Sequence, residues 1–355
     1  MLNDIVENRL IASLVEGFRR SPLQANGLHQ TDAEIVRLND LCSIAITTDS
    51  IAEEVAVGLY AGPWLIGWMA VMANLSDLAA VGAQPLGILI SEILPPGYPS
   101  ESLRRLQQGI CDACEACKTF VLGGDTNAGK QLMITGTAIG VCGGGRFLSR
   151  TGCHPGDFLY STGNLGIGSA FALSVLLPGC VEQFERDPIE YRPKARIREG
   201  KLLTSFASSC MDTSDGVLAT LDQLMRLNCL GFELTPEWTD VLDPRVSQIA
   251  SERGIPDWLF LAGQHGEFEL LFTVPENIAA RFRERALADG WEPRLLGRVI
   301  TEPEVRISLY GDRVAIDTGR IRNIAGTAGV DPGRQLVELF AMDEEMRGAL
   351  VEDCR

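Results

Sequence analysis

Five aspartates stand where acid meets apolar sequence. Asp49 follows the run Ser43-Ile44-Ala45-Ile46-Thr47-Thr48, Asp77 interrupts the apolar stretch Trp64 to Val81, and Asp125 follows Gly123-Gly124. Asp212 and Asp215 bracket Ser214 just ahead of an apolar helical pattern. An ionised carboxylate against apolar surface is costly without a cation, a hydrogen-bond cluster or a shifted pKa. Taken singly, each aspartate reads as a helix cap or a turn residue. Five such placements with no matching arginines point instead to a hard divalent cation such as Mg²⁺, which takes oxygen ligands. That chemistry suits phosphoryl transfer, where positioning and electrostatics carry most of the catalysis and no covalent residue is required.

Other chemistries find less support. There is no G-x-S-x-G elbow, and His29, His154 and His265 are scattered, so a nucleophilic triad has no basis. Gly124 to Lys130 matches G-x4-G-K, but Gln131 replaces the Ser or Thr that would meet the metal, and a β-rich segment follows instead of a helix. The stretch Gly163 to Gly168 is not G-x-G-x-x-G; it reads as a plain turn or as an anion site at a helix N-terminus. Cys111, Cys114 and Cys117 are spaced like the start of an iron–sulfur run but lack its continuation. Cys114 and Cys117 instead join Leu103, Leu106 and Ile110 in an apolar stripe along one helix.

The 355 residues suffice for about two domains. With 31 Lys and Arg against 47 Asp and Glu, the net charge of −16 argues against a nucleic-acid binder, which needs clustered cations. The longest apolar run, Trp64 to Ala73, is half of what a membrane span needs, so no membrane association is expected. The acidic N-terminal residues Asp4 and Glu7 do not resemble a secretory signal, and a cytoplasmic protein with free thiols is expected.

Positioning these residues requires a mixed α+β chain. Helical periodicity covers residues 1–20 and Trp64 to Val81; strands are expected at Ser43–Thr48, Leu86–Leu94, Phe120–Leu122 and Leu132–Val141, with Gly123 to Thr126 as a turn. The triple glycine Gly143-Gly144-Gly145 reads as a domain junction, after which strands recur at Phe158–Thr162 and Glu267–Val274. Two α/β domains, 1–145 and 146–325, with an acidic helical extension at 326–355, are the economical division.

Four motifs occur in order: Asn74-Leu75-Ser76-Asp77-Leu78-Ala79-Ala80-Val81-Gly82-Ala83, Gly123-Gly124-Asp125-Thr126, Arg150-Thr151-Gly152 to Pro155-Gly156-Asp157, and Asp212-Thr213-Ser214-Asp215-Gly216. Over residues 30–300 they resemble the aminoimidazole ribonucleotide synthetase (PurM-like) superfamily, most closely its thiamine-monophosphate kinase branch. The resemblance implies an N-terminal domain that dimerises through its sheet, a C-terminal α/β domain, and ATP with several Mg²⁺ ions between them. By position the implied metal ligands are Asp32, Thr47, Thr48, Asp49, Asp77, Asp125, Asp212 and Asp215, and the implied ATP contacts are Gly124, Asp125, Arg150 and Ser214. Arg150 suits a phosphate clamp, since a guanidinium offers forked donors.

Departures gather on the acceptor side. The family's paired aspartates become Thr31-Asp32, and its Gly-Val-His-Phe becomes Glu54-Val55-Ala56-Val57. Its Gly-Gly-Glu-Asp-Tyr-Glu-Leu becomes Gln264-His265-Gly266-Glu267-Phe268-Glu269-Leu270, leaving Glu267 as the candidate substrate contact. The aromatic-Asp-His-Phe segment has no counterpart after Asp317. The expectation is an ATP- and Mg²⁺-dependent kinase acting on a small molecule other than the family's own acceptor. Two alternatives stand beside it. One is an ATP-dependent dehydratase or cyclo-ligase, whose hydrogenase-maturation form works through a C-terminal cysteine, here Cys354; the other is a catalytically silent nucleotide binder.

Overall fold

The structure is a computed structural model and describes residues 2–176, 189–309, 311–328 and 332–353. Its first sheet comprises β1 (Glu34–Asn39), β2 (Cys42–Ser50), β3 (Gln84–Leu94), β4 (Val121–Ala128) and β5 (Met133–Gly143), in spatial order β1-β2-β5-β3-β4. Only β3 and β4 run parallel, and the chain between them forms a crossover helix, as parallel pairing demands. The helices of this half are α1 (Val6–Val15), α2 (Ala52–Ala56), α3 (Pro63–Ala80) and the crossover α4 (Ser100–Ala116).

Helix α3 lies between α4 and the strands β2 and β5, which explains why it is apolar nearly all round. From Ile66 to Ala80 every residue is buried except Ala73 and Asp77. Those two share a face at i and i+4. The α3–α4 crossing is close because glycine meets backbone on both sides. A Cβ at Gly67 would lie 2.1 Å from the carbonyl oxygen of Leu106, and one at Gly109 would lie 2.0 Å from that of Trp64.

The second sheet runs β12-β11-β8-β10-β6-β9-β7, built from β6 (Phe158–Ser161), β7 (Ser209–Asp212), β8 (Gly231–Leu234), β9 (Leu270–Val274), β10 (Arg294–Ile300), β11 (Val305–Leu309) and β12 (Asp312–Ile316). Helices α5 (Ile167–Leu176), Val217–Asn228 and Glu276–Ala288 accompany it, giving the mixed α+β class read from the sequence. Near the C-terminus, helix Thr318–Ala328 reaches back to α1. Arg322 bridges Asp222 at 3.2 Å and Glu7 at 2.9 Å, and Asn323 accepts the Val6 N–H at 3.1 Å. The following helix, Pro332–Asp353, docks by Asp343, which accepts the Trp258 indole N–H at 2.8 Å. Cys354 lies outside the described residues.

Three local expectations are corrected. Gly123 to Thr126 is not a turn but part of β4, because β3 offers a parallel ladder from Ile88 to Leu94 that fixes those glycines as extended chain. The strand expected from Glu267 begins only at Leu270; before it Phe268 takes a left-handed backbone (φ 58°), which breaks the alternation. Asp49 falls inside β2 instead of after it. The cysteine stripe does form: Cys114 and Cys117 are buried and Cys111 is exposed. Burial pushes the thiols of Cys114 and Cys117 up to about 11 and about 12, so they are inert packing groups.

Candidate active site

A cavity of about 760 Å³ opens beside β2 and α3 and is closed by the loop after β7 and by the Gln264–Phe268 loop. Helix α3 presents Met69, Ala73 and Asp77 to it, a stripe at i, i+4 and i+8. The polar residues of α3 each hold a group from another element. Asn74 Oδ1 accepts the Asp49 N–H at 3.0 Å, and its amide donates to the Ala70 carbonyl at 3.0 Å. Ser76 donates to Asp212 Oδ2 at 2.5 Å, and the Thr47 hydroxyl donates to Asp77 Oδ2. One helix thereby sets the places of β2 and β7 relative to each other.

Asp32, Thr47, Thr48, Asp49, Asp77, Asp212 and Asp215 all line this cavity, as do Arg150 and Ser214. Ligand oxygens of Asp32, Asp77 and Asp212 lie within 4.8 Å of one another. Arg150 donates to Asp32 Oδ1 at 3.0 Å, while Asp32 Oδ2 and Arg150 Nε are buried with no hydrogen-bond partner. Ser214 donates to Asp212 Oδ1 at 3.0 Å.

Crowded acids in a buried site resist ionisation. Burial, then the charges of Asp49, Asp212 and Asp32, hold the Asp77 carboxyl well above its usual range. Burial and Asp32 push Asp212 up to about 7, and burial and Glu7 push Asp215 up to about 6. The free Asp32 oxygen and the oxygen-only donor set fit a hard cation such as Mg²⁺.

Gly124 and Asp125 are not brought to this cavity. They sit on β4, three strands from β2 along β2-β5-β3-β4, with Gly124 in the row of Ile90, Gly136 and Asp49. At about 4.8 Å per strand, that is roughly 14 Å, too far to share an ion with Asp49. Every residue of β4 is exposed.

Glu267, the candidate substrate contact, is seated at the start of α5. It is 4% exposed, and its Oε1 accepts the N–H groups of Gly166 (2.6 Å) and Gly168 (3.2 Å) at the start of α5. The glycine-rich turn therefore receives a carboxyl oxygen from within the chain. Burial raises this carboxyl to about 8.

Three further lining residues were not among the expected site residues: Glu54 and His265, which fall in the departing acceptor segments, and Tyr60. The Tyr60 hydroxyl lies 3.1 Å from His265 Nε2, and burial pushes His265 down to about 3, so its ring is neutral near pH 7. Behind them Tyr191 stacks on Phe171 at 4.6 Å between centroids and donates to the Gly266 carbonyl at 2.7 Å. Asn74 and Ser76 did carry a signal, as polar residues within an apolar helix.

A mixed α+β fold of two sheets with an acid-lined cavity is thus in place, and comparison with known proteins gives it a family. Residues 30–142 match the family described as AIR synthase related protein, N-terminal domain. The chain is 32% identical over 273 residues to a thiamine-monophosphate kinase of Pyrococcus horikoshii, covering 76% of this chain and 83% of that one. It is 29% identical over 299 residues to that of Pyrococcus abyssi, covering 84% and 89%. The structure of AaThiL complexed with AMPPCP and TMP matches with a TM-score of 0.71 at 25% identity, covering 88% of this chain and 96% of that one. A HypE–HypF complex matches with a TM-score of 0.70 at 21% identity, a likeness of fold, over 87% and 98%. The chain belongs to the thiamine-monophosphate kinase family, within the PurM-like superfamily.

Proposed function

We propose that the protein is an ATP- and Mg²⁺-dependent phosphotransferase whose acceptor is a small molecule other than thiamine monophosphate. The observation that carries the donor half is the convergence of Asp32, Asp49, Asp77, Asp212 and Asp215 with Arg150 and Ser214 in one cavity. Mg²⁺ bound there supplies charge neutralisation to the phosphates. The chain's own residues orient the donor: Arg150, anchored on Asp32, keeps Nε free for a phosphate oxygen, and Ser76 and Asn74 hold Asp212 and Asp49 in place. The acceptor's nucleophile takes the terminal phosphoryl group and ADP departs.

The acceptor half rests on two positions where the resemblance expects substrate contacts. Ala56 offers only a methyl group. Gly266 admits no side chain, since a Cβ there would lie 1.4 Å from the Thr213 carbonyl oxygen. Glu267, beside it, spends its Oε1 on the α5 N-terminus. A site stripped of those contacts rejects the ligand that needed them.

The protein acts as a homodimer in this reading. The exposed β4 carries apolar Val121 and Leu122, with Phe120 (71% exposed) just before it and Leu86 and Leu89 exposed on β3. A second copy on this sheet covers that surface and brings Asp125 toward a neighbouring cavity.

ADP release measured with thiamine monophosphate and a panel of small-molecule acceptors, alongside calorimetric titration of AMPPCP and Mg²⁺, tests both halves. Ordinary turnover of saturating thiamine monophosphate returns the acceptor to that of the relatives. Absence of nucleotide binding removes the donor half.

A further inference from the structure

The cavity wall holds a group of side chains that nucleotide and metal binding leave unused. Helix α2 places Glu54 in the lining, and its main-chain carbonyl accepts the N–H groups of Leu59 (2.8 Å) and Tyr60 (3.2 Å). The chain thus folds back and sets Tyr60 beside Glu54. From the other half of the molecule His265 meets the Tyr60 hydroxyl, and Phe268 adds a second ring to the wall.

Glu54 Oε2 is buried and has no hydrogen-bond partner. A carboxylate oxygen removed from water without a donor is unfavourable, so a ligand donor at this point is worth more than one at a solvated acid. Charge narrows the ligand's chemistry. The fixed cation lining the cavity among the described residues is Arg150, already engaged by Asp32, and His265 is neutral. Burial first, then the negative charges of Glu53, Asp215 and Asp49 around Glu54, raise its carboxyl. An anionic substituent at this point meets an acid with no compensating base. A neutral one meets no gain in charge. A positively charged nitrogen with N–H groups answers the free oxygen and the local potential together, and the rings of Tyr60 and Phe268 suit its flat or apolar carrier.

We propose that Glu54 is the acceptor-recognition residue of this chain, and that with Tyr60 and His265 it takes a protonated amine or amidine group of the acceptor. This rests on the phosphotransferase reading for the word acceptor, and the experiment separates the two. Benzamidine, benzyl alcohol and benzoate are titrated by ligand-observed NMR, with and without AMPPCP and Mg²⁺, into wild type, Glu54→Gln and the exposed-neighbour control Glu53→Gln. AMPPCP affinity is measured on each by calorimetry. Benzamidine binds wild type and Glu53→Gln alike, benzoate does not bind, and Glu54→Gln weakens benzamidine at least tenfold while AMPPCP affinity is retained.

The proposal falls if benzamidine fails to bind, if benzoate binds as well, or if Glu54→Gln leaves benzamidine affinity intact. It also falls if Glu54→Gln chiefly lowers Mg²⁺-dependent AMPPCP affinity, because Glu54 then serves the metal. Glu54-dependent benzamidine binding by a wild type that binds no AMPPCP supports the recognition site and overturns the phosphotransferase reading instead.

Discussion

The Tyr60 hydroxyl and His265 Nε2 lie 3.1 Å apart, a buried hydrogen bond between residues 205 positions apart in the chain. It ties the turn after α2 to the loop before β9, so the two halves of the molecule meet in one wall of the cavity. Removing the hydroxyl leaves a buried ring nitrogen unpaired, at a cost of about 1–3 kcal/mol. Tyr60→Phe is expected to lower unfolding stability by that amount, measured by urea denaturation, while AMPPCP affinity is unchanged. Unaltered stability would mean that the pair contributes nothing to joining the halves.

Asp77 is crowded by Asp49, Asp212 and Asp32 and gains little in the metal-free protein. Asp77→Asn relieves that repulsion. The expected result is a melting temperature equal to or above wild type without metal, together with loss of at least tenfold in Mg²⁺-dependent AMPPCP affinity. Retained affinity would remove Asp77 from the ligand set.

Acidity should show itself through the same cluster. Asp212 and Asp215 titrate at about 7 and about 6 in the folded chain, above the ordinary aspartate value of 3.8. A raised folded pKa gives stability that is complete below the unfolded value and is lost as pH climbs through the folded one. The metal-free protein therefore loses stability from these groups between about pH 4 and pH 7. Metal binding must displace those protons, so Mg²⁺ should raise the melting temperature more at pH 8 than at pH 5.5. An equal shift at both values would contradict the assignment.

Glu267 serves the α5 N-terminus, so its removal should act on stability and not on the acceptor. Glu267→Ala leaves the Gly166 and Gly168 N–H groups without their partner and is expected to cost about 1–3 kcal/mol by denaturation. A variant of wild-type stability with a raised KM for the acceptor would restore Glu267 as a substrate contact.

The exposed sheet offers a test of assembly. Leu122→Asp places charge on an apolar surface that a second copy would bury, and should shift the sedimentation coefficient from dimer to monomer without changing far-UV circular dichroism. A wild type that sediments as a monomer would refute the homodimer directly.

Much of the acid cluster in the cavity was legible because its members are local and chemical signals. Asp77 within α3 and Asp212 before a helix stand out against apolar neighbours, and the structure seats both in one cavity. The strand of Gly123 to Thr126 was hidden because its ladder with β3 is formed by residues more than thirty positions away, which override the turn preference of paired glycines. The seat of Glu267 was hidden for a similar reason: its partners, Gly166 and Gly168, are 101 and 99 residues distant. Glu54, Tyr60 and His265 are ordinary residues in ordinary surroundings until the fold brings them together, and no periodicity marks such a meeting.

The glycine crossing of α3 and α4 makes Asn74, Ser76 and Asp77 dependent on a contact made elsewhere on the same rod. Methyl groups at Gly67 or Gly109 would pry the helices apart and tilt all three side chains in unison. Random mutagenesis scored for lost function should therefore recover these two glycines beside the acids, as lesions that keep every cavity carboxylate yet disturb how they are held.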